Sequence, residues 1–309
     1  MTACLSIAAP RLRARLARVH RLHGRAPAGE CGTGERPSGE HRAERGLARA
    51  SSNPPALARL AVAGGLLLLS ALVAAPPARA GDADDVAHAI PSPRAVVELF
   101  TSQGCSSCPP ADKLLGELSE QPNVIALTMA VDYWDYLGWK DTLAKHGHSL
   151  RQKAYARLRG DGKMFTPQAV VNGTAMTIGS DRPALEHVVD SIAAPTVPVS
   201  VEARDGGRIH VVVGDGPSTA MPGEVWLCPV ASRMTVEIGR GENEGSRITY
   251  HNVVRGWTKL GDWDGRKVSF DTTVGAQPGQ QADSVAILVQ SGSFAEPGKI
   301  VGAALQPLH

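Results

Sequence analysis

Apolar residues recur along this chain in two rhythms. Val96 to Thr101 is apolar at nearly every position except Glu98, the signature of a short buried strand, and it runs into Gly104 and a cysteine pair. Leu114, Leu115 and Leu118 then share one helical face, and Asn123 precedes a second strand, Val124 to Val131. Thr142 to Arg159 reads as a helix with the stripe Leu143, Gly147, Leu150, Ala154, Leu158. Gln168 to Val171 and Ala175 to Ile178, joined through Asn172-Gly173, read as a hairpin. Asp181 to Ile192 closes the region as a helix, with Pro183 in its first turn. The expected order over 94–194 is β-α-β-α-β-β-α, with the first two strands parallel.

Pro195 and Pro198 mark a change of rhythm. Val197–Ala203, Arg208–Val213, Glu224–Val230, Met234–Ile238, Ser246–Val254, Lys267–Thr272 and Ser284–Ser291 alternate as strands, separated by turns such as Asp205-Gly206-Gly207 and Asp264-Gly265. Seven strands without helical periodicity predict an antiparallel β-sandwich over 196–309. The fold class is therefore α/β plus all-β.

The N-terminal part is of another kind. Residues 1–58 read as an unstructured, non-native extension. From Arg59 an apolar run, Leu60 to Ala75, leads to Pro76-Pro77 and the small-residue site Ala78-Arg79-Ala80, the three-part plan of a signal peptide over 59–80. The run is shorter than the roughly 20 residues that span a bilayer. A periplasmic or secreted location is expected, with no membrane span after cleavage. With 12 Arg, 4 Glu and no Lys or Asp, residues 1–80 carry +8 of a chain total of +2, so residues 81–309 carry −6. That balance leaves no basic footprint for nucleic acid in the folded part.

An oxidising compartment changes how the five cysteines are read. Cys4 and Cys31 fall in the leader region, and Cys228 stands alone in a strand as a buried inert thiol or an intermolecular partner. Cys105-Ser106-Ser107-Cys108 lacks the second pair that a structural zinc site needs. A disulfide across so short a loop removes little chain entropy, so its value is chemical rather than structural. Near a helix N-terminus the first cysteine favours its thiolate, and the second can resolve a mixed disulfide. Pro110 would crowd a helix capped at Cys105, so that helix is expected to kink or to start late.

Strand, turn, Cys-x-x-Cys and helix, followed by a proline-led hairpin, resemble the thioredoxin-like pattern. That resemblance implies a cis bond at Thr166-Pro167 and makes these residues a peptide-docking element beside the sulfur. Leu99 to Asp112, Val131 to Trp139, Thr166 to Gly173, Gly241-Glu242-Asn243, Tyr250 to Val254 and Leu260-Gly261 resemble the secreted thioredoxin-like family called domain of unknown function 1223. The family implies fold, export and redox chemistry but no reaction partner.

Tyr133, Trp134, Tyr136 and Trp139 crowd into seven positions. They form either one wall of a substrate cleft, with Asp132 or Asp135 as a proton-handling carboxylate near Cys108, or packing against the β-rich part. His146 and His148 are expected at the surface. The reading reached is an exported thiol–disulfide oxidoreductase with Cys105 attacking and Cys108 resolving. Its partners would be exported protein thiols or disulfides, or a redox partner protein, and no cofactor or metal is called for. The alternative is a copper-handling or protein-binding module that uses the same cysteines without turnover.

Overall fold

A computed structural model describes residues 92–274 and 281–308. The signal peptide and extension expected over 1–80 lie outside them. No helix among the described residues is long and apolar enough to cross a membrane.

The first half follows the expected order. Strand β1 (Ala95–Thr101) is buried along its whole length and leads through the cysteine loop to α1 (Pro109–Ser119). Then come β2 (Val124–Ala130), α2 (His146–Arg159), β3 (Gln168–Val171), β4 (Ala175–Ile178) and α3 (Arg182–Ser191). β1 and β2 are parallel, and β3 runs antiparallel to β1 and to β4. The β3–β4 turn places Asn172 and Gly173 at φ 48° and 72°, as a tight hairpin requires. Gly173 is also forced by space, since a Cβ there would meet the Gly298 carbonyl oxygen at 2.5 Å. The buried Asn172 amide accepts from the Val96 N–H at 2.7 Å and donates to the Ala193 carbonyl at 3.0 Å, tying the hairpin to β1 and to the exit of α3.

Helix α2 buries a different face from the one its apolar stripe predicts. Of that stripe Ala154 is buried, but Leu150 and Leu158 are 46% and 55% exposed, and His148, Arg151, Gln152 and Tyr155 point inward instead. Glu98 supplies the reason. It lies on fully buried β1 and needs a cation, and Arg151 provides one through Nε to Oε1 at 2.6 Å and Nη2 to Oε2 at 3.2 Å. Tyr155 donates its hydroxyl to Glu98 at 2.7 Å, Gln290 accepts from Arg151 at 2.8 Å, and the guanidinium lies 4.4 Å from the Trp257 ring centroid. His148 is likewise buried rather than at the surface, with Nδ1 2.9 Å from the Ala130 carbonyl oxygen. Burial lowers its pKa to about 4 and keeps the ring neutral.

The second half is not a self-contained sandwich. It contains β5 (Val199–Arg204), β6 (Arg208–Val213), β7 (Gly223–Glu237), β8 (Arg247–Val254), β9 (Thr258–Trp263), β10 (Val268–Thr273), β11 (Ser284–Gly292) and β12 (Pro297–Pro307). β7 is one strand of 15 residues where the sequence suggested two, and β9 and β12 escaped the reading because glycines and prolines interrupt their alternation. One sheet runs β12-β11-β7-β8-β2-β1-β3-β4, with β9 also paired to β7. Its two halves join where Thr128 of β2 pairs with Val253 of β8 in parallel, so the exposed edge that β2 would otherwise present is covered. Phe100, Leu127 and Met129 therefore share a core with Val230, Leu288 and Ile300. The sandwich character survives on the other face, where the small sheet β10-β6-β5 packs Val199, Val211 and Val213 against Val225, Ile287 and Val289.

Candidate active site

Cys105 and Cys108 are joined by a disulfide at the C-terminal end of β1, with Cα atoms 5.4 Å apart. They sit where α1 begins, but not as a helix dipole acting on Cys105. The helix starts at Pro109, with Cys108 as its N-cap. Of the four N–H groups that a helix N-terminus normally offers, Pro109 and Pro110 have none. Those of Cys108 and Ala111 are already bonded, to the carbonyls of Cys105 and Cys108, at 3.1 and 2.8 Å. The expected late start is thus real, and its effect is that no first-turn donor is left for a sulfur. Ser107 Oγ lies 3.4 Å from Cys105 Sγ.

Asp112, one helical turn beyond Cys108, is 2% exposed, and neither carboxylate oxygen has a hydrogen-bond partner. Positions four apart share a helix face, so the carboxyl lies on the side of α1 that carries Cys108. The hydroxyls of Thr101 on β1 and Tyr250 on β8, both buried, are also unpartnered. Burial raises the Asp112 pKa to about 8 against an opposing pull from the nearby Thr101 hydroxyl, with a smaller upward contribution from the Asp141 charge. The group is therefore mostly protonated at neutral pH. Sequence inspection passed over it because a single aspartate in a helix reads as a solvated charge. The only signal was its place on the apolar face with Leu115 and Leu118.

The predicted carboxylates have other occupations. Asp132 accepts from Ser149 Oγ at 2.5 Å and lies 2.9 Å from His146 Nδ1. Burial pushes its pKa up, but these hydrogen bonds and the imidazole charge outweigh that, and the net direction is down. An ionised, paired Asp132 does not store a proton at neutral pH. Asp135 accepts from the Asp141 N–H at 3.1 Å and caps the loop before α2.

The aromatic loop divides its work. Trp134 donates Nε1–H to Thr166 Oγ1 at 2.8 Å, and its Cβ would stand 3.2 Å from a Cβ placed on Gly104, so it links the proline loop to the cysteine loop. The Thr166–Pro167 bond is cis. Tyr133 is half-buried with an unpartnered hydroxyl, and Tyr136 is 79% exposed. Trp139 donates to Gln103 Oε1 at 2.8 Å and lies against Gly239 and Gly241 at the tip of the β7–β8 hairpin.

That tip reaches the cysteines directly. Asn243 donates both amide hydrogens, to the Gln103 carbonyl at 2.8 Å and the Cys105 carbonyl at 2.9 Å, while Glu242 accepts from the Ser106 N–H at 3.3 Å. The family resemblance marked Gly241-Glu242-Asn243 as a block, but nothing in the sequence linked it to the cysteines, because 138 positions separate Asn243 from Cys105. Cys228 is buried far along β7, and burial pushes its thiol pKa well up. Among the described residues, no three His, Cys, Asp or Glu side chains converge as metal ligands.

With this geometry in hand, comparison with known proteins gives one decisive match: residues 96–290 fit the model of the protein family of unknown function DUF1223. The chain belongs to the DUF1223 family. A crystal structure of a protein from Agrobacterium tumefaciens is similar at 30% identity and a TM-score of 0.62, covering 71% of this chain and 96% of that one. An endonuclease/exonuclease/phosphatase structure from Beutenbergia cavernae matches at 15% identity over 36% of this chain and 23% of its own, with a TM-score of 0.17, too low to carry an argument. No curated protein matches.

Proposed function

We propose that this DUF1223 protein is an exported thiol–disulfide oxidoreductase on a thioredoxin-like framework. The carrying observation is the Cys105–Cys108 disulfide at the β1–α1 junction, one helical turn from the buried, unpartnered Asp112. The β1-α1-β2-α2-β3-β4-α3 order and the position of Thr166-Pro167 support the framework, and the apolar run before Ala80 supports export.

In the proposed reaction a substrate thiolate attacks Cys105 Sγ. A substrate–Cys105 bond forms, the Cys105–Cys108 bond breaks, and its electron pair leaves on Cys108 Sγ, which takes a proton from Asp112. A second substrate thiolate then attacks the substrate sulfur, giving substrate disulfide and a Cys105 thiolate that is protonated from solvent. Two electrons pass from two substrate thiols to the protein disulfide, and the reverse sequence reduces a substrate disulfide. Its partners on this reading are exported protein thiols or disulfides, or a redox partner protein.

Replacing Cys108 with serine removes the resolving attack, so Cys108→Ser should accumulate mixed disulfides through Cys105 on non-reducing gels, and Cys105→Ser should accumulate few. If neither variant forms adducts, or if copper binds one-to-one in a cysteine-dependent way, the protein is the binding module instead.

A further inference from the structure

The sulfur pair is more deeply enclosed than its loop suggests. Cys105 is 1% exposed and Cys108 0%, although Ser106 and Ser107 between them are exposed. Four side chains from distant parts of the chain close around residues 103–106. Trp134 stands beside Gly104, Trp139 holds the Gln103 side chain, Asn243 holds the carbonyls of Gln103 and Cys105, and Glu242 takes the Ser106 N–H. A cleft of about 410 Å³ along α1 and β8 comes near the site only at Pro109 and reaches neither cysteine.

The bonds at the tip are directional. Asn243 is itself buried, and both of its N–H groups end on backbone carbonyls of the cysteine loop. The turn carrying it is closed by bonds from the Glu244 N–H to the Gly241 carbonyl and from the Ser246 N–H to the Asn243 carbonyl. Trp139 lies along the same turn, 3.0 Å from where a Gly239 Cβ would be, so the tip sits on an aromatic support. The contacts that fasten the tip to the cysteine loop are hydrogen bonds, which exchange readily with water.

We propose that the β7–β8 tip, residues 239–245, is a size-selective cover on the Cys105–Cys108 pair, and that Asn243 is the positioning residue that fastens it. Small thiols reach Cys105 from the open side of Ser106 and Ser107. A protein thiol, which must bring its own backbone alongside, reacts only with molecules whose tip has lifted. This inference rests on the redox reading above, because a cover over an inert disulfide would select nothing.

The test uses the full chain, reduced with dithiothreitol and then freed of it. Cys105 is alkylated in parallel with N-ethylmaleimide and with the same maleimide carried on a 5-kDa polyethylene glycol, and its residual thiol is followed by mass spectrometry. Asn243 contributes two neutral hydrogen bonds to holding the tip, each worth roughly fivefold in an equilibrium, so losing both raises the open population about 25-fold. Asn243→Asp keeps the shape and loses both donors, and Asn243→Ala loses shape as well. Both should speed the large reagent by about 10- to 30-fold and N-ethylmaleimide by less than about 3-fold. Trp139→Phe, which keeps the ring, should move the same ratio in the same direction by about 5-fold, and it covers the case in which an Asn243 variant does not fold. Equal rates for the two reagents in the native protein, or a ratio unmoved by all three substitutions, overturn the cover. Size selection without mixed disulfides in Cys108→Ser leaves the cover standing and overturns the redox function.

Discussion

Asp112 offers the sharpest quantitative test of the site. Its carboxyl has an ordinary pKa of 3.8 and is raised to about 8 in the fold, chiefly by burial. Between those values the folded state holds a proton that the unfolded state has released, so folding stability falls as pH rises. Each pH unit in that window is worth about 1.4 kcal/mol, which makes the accumulated cost at pH 7 about 4 kcal/mol, with no further loss above pH 8. Asn cannot ionise. Asp112→Asn should therefore match the native protein at pH 4 and exceed it by up to about 4 kcal/mol at pH 7. His148 imposes the opposite slope, because its lowered pKa makes the folded state lose stability as pH falls below 6.5, but it is present in both proteins and cancels in the difference. Urea denaturation at half-unit steps from pH 4 to 9, with the disulfide intact, reads the difference directly. The same variant should slow release of Cys108, since the proton donor is gone. A difference that does not change with pH would refute the buried neutral carboxyl, and unchanged exchange kinetics would refute its part in the chemistry.

Other consequences can be checked alongside. Arg151→Met strands Glu98 in the core and should cost about 3–5 kcal/mol, while the double variant Glu98→Gln with Arg151→Met should recover most of that; a double-mutant cycle by chemical denaturation measures the coupling. Cys228, buried with a raised thiol pKa, should resist alkylation in the native protein and react only under unfolding conditions, which site-resolved mass spectrometry follows. Asn172→Ala leaves the Val96 N–H without its acceptor and should destabilise by about 1–3 kcal/mol, read as a shift in urea midpoint at unchanged slope.

Local chemistry was legible in the sequence. Continuous apolar runs gave β1 and β2, Asn172-Gly173 gave the hairpin, Asp181 and Pro183 gave the start of α3, and two prolines after Cys108 gave a helix that starts late. Each of these is set by residues within a few positions of one another, so spacing alone decides it. Three things needed the tertiary structure. The buried face of α2 was chosen by Glu98, 53 residues away, because a charge inside a sheet must be paired before leucines on the same helix can be satisfied. The supposed boundary at Pro195–Pro198 vanished into one sheet because β2 had an open edge and β8 could close it, and alternation along a strand says nothing about which neighbour it takes. The site residues Asp112, Glu242 and Asn243 fall in blocks that carry the family resemblance, but their residue types by themselves read as surface polar positions. Only packing decides that one is an acid buried in the core and that the others, from a distant hairpin, bond to the backbone of the cysteine loop.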